Sequence, residues 1–277
     1  MILSFHPCYV ADENRICAGR SPNEADLASI RAAQAVILPQ GCTAELYALA
    51  RDNAPRCFPN FEARFGYPGK TDQIRLFRDL AAPHPSTRLY TSLRSFDFRG
   101  ELTAISAEIG FPLVFKLDFG GEGDTVELIK GPAHLRAHIE EAMRHFEGPF
   151  LLQEYIPAGQ RSLRVVVIGD QTISYWRINP DPHGFGTSAG KGARIDHGAD
   201  PQLQRLACTA TRALCAKSGI NLAGFDLLFG STDPRPLFLE INHYFGRRGL
   251  GGSEAFYEIL TAEIDAWLSA ANPAGSP

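Results

Sequence analysis

The 277-residue chain lacks the features by which several broad classes of protein are recognised. No apolar run approaches the roughly 20 residues a membrane helix needs, so no membrane partner is expected. No sign of charge dominates: the formal net charge is -4, too little positive field to hold nucleic acid or anionic lipid. The six cysteines, Cys8, Cys17, Cys42, Cys57, Cys208 and Cys215, form no CxxC pair and no zinc-ligand spacing. No basic segment precedes Met-Ile-Leu-Ser-Phe-His-Pro, and Pro7 ends that run, so it reads as a first strand rather than a signal peptide. Reduced thiols and a cytoplasmic location are therefore expected. Cys8, beside His6, is open to two readings, a nucleophile or the favoured small buried hydrophobe. No internal repeat is visible.

What is present is an ordinary globular composition, 44% hydrophobic and 21% charged, which excludes disorder, a collagen-like chain and a disulfide scaffold. The length suits two lobes or one domain with a cleft. Residues 1–68 alternate short apolar runs with helical segments. Ile2–Phe5 and Ala35–Leu38 read as strands, Asn23–Gln34 as a helix opened by Ser21-Pro22, and Thr43–Asp52 as a helix capped by Thr43. This predicts a small open α/β unit ending at the turn-rich Gly66-Tyr-Pro-Gly69. From Lys70 onward a helix (Asp72–Leu80), a stiff Pro83-His-Pro connector, a strand and a helix lead to a strand ending at Leu117 and its return, Val126–Lys130. Helix Pro132–Phe146, strand Phe150–Glu154, two strands joined at Gly169-Asp170, helix Pro201–Ser218, a hairpin Leu222–Asn242 and helix Glu254–Leu268 follow, with 272–277 as a tail.

The hairpin carries the first chemical signal. Folded about Asp233, it faces Phe225 with Ile241, Leu227 with Leu239 and Phe229 with Leu237, an all-apolar face that a one-residue slip would scramble. The other face then sets Asp226 opposite Glu240, with Asn242 two residues on. Carboxylates about 5 Å apart repel unless a cation lies between them. With an amide oxygen beside them they form an oxygen set suited to Mg²⁺ or Mn²⁺. The alternatives are a solvated acidic face, disfavoured by the flanking apolar runs, and a pair neutralised by lysines.

The second signal is Asp118-Phe-Gly-Gly-Glu-Gly-Asp-Thr-Val126, glycine-rich and set between two strands. That position excludes a Walker A loop and a dinucleotide fingerprint, which both need a helix N-terminus. It permits a loop folded over phosphates, with Lys116 upstream as a point charge, or a mere turn. Gln153-Glu-Tyr-Ile156 reads either as a hinge whose backbone could bond an adenine edge or as an edge strand leaving a sheet.

In order, Gly69-Lys-Thr-Asp, Pro83-His-Pro-Ser-Thr, Phe111-Pro-Leu-Val-Phe-Lys with Gly120-Gly-Glu-Gly, Gln153-Glu-Tyr-Ile, Leu163-Arg-Val-Val-Val-Ile-Gly-Asp, Gly224-Phe-Asp-Leu-Leu and Leu239-Glu-Ile-Asn resemble the ATP-grasp superfamily. The nearest branch is that of carboxylate–amine ligases such as ribosomal-protein glutamate ligases and glutathione synthetase-like enzymes. The resemblance covers about Lys70 to Leu268. It implies an α+β fold: an ATP-grasp domain over 69–271, with subdomains 69–155 and 156–271 clamping ATP between antiparallel sheets, behind the α/β N-terminal domain at 1–68. It implies ATP phosphates held by Lys70 and Lys116 beneath Gly120, Gly121 and Gly123, adenine at Gln153, Glu154, Tyr155 and Ile156, and Mg²⁺ at Asp226, Glu240 and Asn242. Arg164 and Arg177 would stabilise the transferring phosphoryl group. Ser162 stands where many relatives have an aspartate near the ribose. Lys191, in the loop Gly184–Gly192, is either a substitute for the family's arginine or an exposed loop lysine. Arg247 and Arg248, flanked by glycines just past Asn242, read as carboxylate or phosphate clamps or as a flexible basic loop.

The expected activity is an ATP-dependent ligase that activates a small-molecule or peptide carboxylate as an acyl phosphate and joins it to an amine. The rivals are a kinase acting on a hydroxyl, with Asp181 or His183 as base, and a non-catalytic ATP-binding module.

Overall fold

The computed structural model describes residues 1–120, 125–181, 185–187, 192–231 and 233–270. The first strands follow the expected alternation. β1 (Ile2–Ser4), β2 (Glu13–Asn14), α1 (Glu24–Ala32), β3 (Ala35–Ile37), α2 (Ala44–Asn53), β4 (Cys57–Phe58) and α3 (Glu62–Gly66) build a parallel sheet in the order β2-β1-β3-β4. Thr43 caps α2 as its position suggested, accepting from Leu46 N at 3.2 Å. Asn23 caps α1 in a reciprocal pair with Asp26, which satisfies two helix donors at once. β2, β4 and α3 are too short for sequence periodicity to mark.

Next come α4 (Lys70–Asp79), β5 (Thr87–Tyr90), α5 (Phe98–Glu108), β6 (Leu113–Leu117), β7 (Val126–Ile129), α6 (Pro132–Ala142) and β8 (Phe150–Glu154). Their strands form an antiparallel sheet, β5-β8-β6-β7. β8 therefore lies inside the sheet, which overturns the reading of Gln153–Ile156 as an edge strand. α6 also ends before Phe146, because that ring turns back onto Phe119, with centroids 4.6 Å apart.

The remaining elements are β9 (Arg161–Ile168), β10 (Gln171–Ile178), β11 (Arg194–Asp196), α7 (Pro201–Ser218), β12 (Leu222–Leu228), β13 (Leu237–Asn242), a 3₁₀ turn (Arg248–Leu250) and α8 (Ser253–Ala270). The strands make a second antiparallel sheet, β11-β10-β9-β12-β13. On one face of β9, Leu163, Val165 and Val167 join the core under α4 and α7. On the other, Val166 and Ile168 pack with α8, while Ser162 and Arg164 line a cleft. The period-two alternation of a strand thus divides core from site.

The hairpin register holds as far as Phe225–Ile241 and Asp226–Glu240, then departs. A β-bulge makes Leu227 face Phe238 and Leu228 face Leu237, so Leu239 is the extra residue. This corrects the expected Leu227–Leu239 and Phe229–Leu237 pairs. Phe238 fills the core beneath Leu227, and Leu239 turns to the cleft, as bulges re-aim side chains. Cys8 is exposed, which removes its reading as a buried hydrophobe, and it does not line the cleft. The tail at 272–277 lies outside the described residues.

Phe225 is fully buried on the core face, next to Asp226 on the cleft face. Truncation to alanine is expected to destabilise the protein by about 3–5 kcal/mol through lost burial and a residual cavity. Urea unfolding followed by circular dichroism measures this.

Candidate active site

The two antiparallel sheets face each other across a cleft of about 680 Å³, within the usual size range of small-molecule sites. From the β5–β8 sheet, Lys116 enters the cleft beside Gln153. Lys116 Nζ donates to Gln153 Oε1 at 2.7 Å, and Gln153 Nε2 donates to Thr87 Oγ1 at 2.9 Å. Gln153 was expected to act through its backbone. Its side chain is buried and orients Lys116. Burial lowers Lys116 to about 8, against the opposing pull of Glu240, because desolvation penalises the ammonium form.

Lys70 is the first residue of α4 and also lines the cleft. Its Nζ donates to the carbonyls of Phe119 at 2.8 Å and Gly120 at 2.7 Å, the backbone at the base of the glycine-rich loop. Gly120 takes φ +84°, a conformation glycine adopts without strain. Gly121, Gly123 and Lys191 lie outside the described residues, as does His183. Glu154, Tyr155 and Ile156 line the cleft where β8 ends.

The opposite wall is a row across the second sheet. Arg164 on β9 pairs with Asp226 on β12, and Asp226 pairs with Glu240 on β13. Arg164 grips Asp226 with two bonds, Nε to Oδ1 at 2.5 Å and Nη2 to Oδ2 at 3.0 Å. Arg177 Nη2 reaches the same Oδ1 at 2.7 Å, and Asn242 Nδ2 donates to Oδ2 at 3.2 Å. Burial alone would raise the Asp226 pKa, but Arg164 and Arg177 outweigh it and hold the group ionised. Glu240 goes the other way, raised by burial and then by Asp226, with Lys116 and Lys70 opposing. Arg177 Nε is buried with no hydrogen-bond partner among the described residues.

Ser162 Oγ accepts from Arg177 Nη2 at 3.1 Å and lies 2.5 Å from Thr187 Oγ1. It therefore links the cleft-lining strand pair to the segment Phe185–Thr187. Of the two adjacent arginines, Arg248 lines the cleft and Arg247 does not. Arg247 stacks over Phe256 and Tyr257, 4.5 Å from each ring centroid, and donates to Ser253 Oγ at 3.2 Å. Arg247 is thereby corrected from a clamp to a packing residue on α8.

Sequence reading missed Tyr175, Tyr244 and Gly249. Tyr175 pairs with Arg164, and a Cβ at Gly249 would fall 2.2 Å from its ring. Tyr244 is an exposed cleft residue backed by Arg64, whose guanidinium lies 5.0 Å from the ring. Strand pairing connects Tyr175 to the site, and the path of the chain after β13 brings Tyr244 and Gly249 there.

Residues 86–261 match the family model described as the RimK-like ATP-grasp domain. The chain belongs to this family. The RimK-like chain is 33% identical over 146 residues to a probable alpha-L-glutamate ligase of Marinobacter nauticus, covering 51% of this chain and 45% of that one. It is 31% identical over 151 residues to probable alpha-L-glutamate ligase 1 of Hahella chejuensis, covering 53% and 46%. The chain spans about half the length of these curated relatives. Among solved structures, a RimK domain ATP-grasp protein of Sphaerobacter thermophilus gives a TM-score of 0.62 at 19% identity, covering 95% of this chain and 98% of that one. D-alanine–D-alanine ligase of Bacillus anthracis gives 0.63 at 14% identity, covering 94% and 88%. At such identities the structural likeness shows the ATP-grasp fold alone, and it agrees with the α+β arrangement described above. Among the described residues, no helix is long and apolar enough to cross a membrane.

The lowered pKa of Lys116 gives a signed pH dependence. If phosphates bind its ammonium form, ATP affinity weakens as pH rises through about 8. Folding stability moves oppositely between about 8 and the ordinary value of 10.5, because there the unfolded chain holds the extra proton and stability increases with pH. Calorimetric ATP titrations on either side of pH 8 test this. Lys116→Arg, which keeps its proton, is expected to flatten the profile.

Proposed function

We propose that this protein is an ATP-dependent ligase that activates a substrate carboxylate as an acyl phosphate and joins it to an amine, releasing ADP and phosphate. The observation that supports the reading best is the charge layout of one cleft. Lys70 and Lys116 come from one wall, Arg164, Arg177 and Arg248 from the other, and the Asp226–Glu240 pair lies among them. Such a site can neutralise a polyphosphate and a developing phosphoryl charge without a nucleophilic side chain. The relatives' name, probable alpha-L-glutamate ligase, supports the same chemistry. So does the division proposed from sequence, in which residues before Gly69 precede an ATP-grasp unit.

Along β12 and β13 the cleft changes character. Leu228 and Leu239 lie toward the hairpin tip and, with Val114 and Ile156 of the same cleft lining, make an apolar slot suited to adenine. The carboxylate row and the lysines follow, where the phosphates would lie. Arg177, with its unpartnered Nε, would meet the transferring phosphoryl group, and Ser162 fixes that guanidinium in place. A carboxylate oxygen would attack the γ-phosphorus as the bond to the β-bridging oxygen breaks and ADP departs. The amine nitrogen would then attack the acyl carbon, phosphate would leave, and the amine would lose a proton. The protein's work is orientation and charge neutralisation.

The oxygen donors fit a hard divalent cation. Glu240 stands beside Asp226 across β12 and β13 with Asn242 two residues on, and these three would hold Mg²⁺ or Mn²⁺. Bound there, the ion would neutralise phosphate oxygens. Asp226 is also the acceptor for both arginines, so its role is double. Of the kinase reading's two candidate bases, Asp181 does not line the cleft and His183 lies outside the described residues.

Incubation with ATP, Mg²⁺, hydroxylamine and a panel of amino acids and acidic peptides is expected to give a substrate-dependent hydroxamate together with free phosphate. Asp226→Asn is expected to lower that turnover by about 100-fold or more. A phosphorylated product without free phosphate would support the kinase instead and overturn the ligase reading.

A further inference from the structure

Asp118 enters none of the roles above, yet it sits where the nucleotide-facing parts of the first lobe meet. It follows β6, two residues after Lys116. Its Oδ1 accepts from the backbone N–H of Thr71 at 2.6 Å, so its carboxylate fills the positive N-terminal end of the ten-residue α4. That end is therefore closed to a phosphate, and what α4 offers the cleft is the Lys70 side chain. Lys70 in turn bonds the two carbonyls that follow Asp118, those of Phe119 and Gly120. The loop base is also braced from its own side. Thr125 Oγ1 donates to the Phe119 carbonyl at 2.6 Å, and the Asp118 N–H to the Pro149 carbonyl at 3.1 Å.

Gly69 supplies an independent observation. Its φ of −98° is open to any residue, so nothing in the backbone demands glycine there. The demand is steric: a Cβ would lie 2.3 Å from Asp118 Oδ2 and 2.7 Å from both Cγ and Oδ1. The helix start is thus shaped to receive this carboxylate.

We propose that Asp118 is a positioning residue for the nucleotide site, fastening the base of the glycine-rich loop to the start of α4 so that Lys70 and the loop grip phosphates as one unit. The proposal rests on the ATP-site reading above. It differs from simple helix capping in what it predicts. A cap holds up the fold, whereas this clamp acts on phosphates and leaves the adenine slot alone.

The test uses the full chain and measures binding of Mg-ATP, Mg-ADP and adenosine by calorimetry, with thermal midpoints alongside. Asp118→Ala is expected to weaken ATP and ADP by about tenfold, the size of a lost cap expressed as affinity, and to leave adenosine unchanged. Asp118→Asn, which keeps an acceptor oxygen for Thr71, is expected to recover part of the loss. Gly69→Ala, with its methyl in the carboxylate's place, is expected to reproduce it, and the double variant to lose no more than either single one. An Asp118→Ala protein with a lower midpoint but wild-type ATP and ADP affinity overturns the proposal. Equal losses for adenosine and ATP overturn it too. Wild-type protein that binds no ATP overturns the ATP-site reading itself, and the proposal with it.

Discussion

The site depends on one buried carboxylate held between two guanidinium groups. Asp226, Arg164 and Arg177 are nearly removed from water, and desolvating such ions costs several kcal/mol each unless their hydrogen bonds are met. The sheet meets them by geometry: Arg164 lies directly across from Asp226 and closes on it with two bonds. The arrangement also restricts its neighbours. A Cβ on Gly224, two residues before Asp226, would fall 2.8 Å from Arg164 Nη1 and 3.1 Å from Phe245 Cβ. Glycine there lets the guanidinium lie flat along β12. A buried ion pair is weak evidence of stability. Its value here is positional, since a fixed Arg164–Asp226 pair holds Arg177 by Nη2.

The opposite lobe solves a similar problem with neutral groups. Lys116 is desolvated but reaches no carboxylate at hydrogen-bond distance among the described residues; its partner is the amide oxygen of Gln153, itself held by Thr87. The result is a lysine that is fixed in place and not neutralised, with Lys70 similarly bound to carbonyls. Among the described residues that line the cleft, six cations (Lys70, Lys116, Arg161, Arg164, Arg177 and Arg248) stand against four carboxylates (Glu127, Glu154, Asp226 and Glu240). That surplus suits a polyanion arriving with a divalent cation, whereas a site with every charge paired would have little to offer one.

Much of this was legible in the sequence, for identifiable reasons. The Asp226–Glu240 juxtaposition followed from hairpin pairing alone, with Phe225 opposite Ile241 on the apolar face. Thr43 and the αL-permitting glycines marked helix and loop ends. What escaped depended on three-dimensional neighbours. The bulge at Leu239 arises because Phe238 fills the core better than the residue expected there, a packing decision with no one-dimensional trace. Arg247 and Arg248 look equivalent as a dipeptide, and only the aromatic rings of α8 separate them. Asp118 looked like a loop residue because its partner, the Thr71 amide, lies 47 residues back in the chain.

The same placement gives the cleft a direction. Along β12 and β13 its lining runs from Leu228 and Leu239, through the carboxylates, to Asn242, Tyr244 and the turn bearing Arg248. On the proposed reading, adenine takes the apolar end, which leaves Tyr244 and Arg248 beyond the phosphates. That far end is also the one the N-terminal sheet reaches: Gln40 donates to the His243 carbonyl at 3.0 Å, and Arg64 stacks behind Tyr244. Among the described residues, these contacts of the segment before Gly69 fall where, on the proposed reading, the acyl and amine substrates would lie. A separation of this kind lets the nucleotide grip stay constant while substrate choice changes, because substitutions at 39–43 and 60–66 alter the seat of Tyr244, away from Lys70, Lys116 and the arginine-held Asp226.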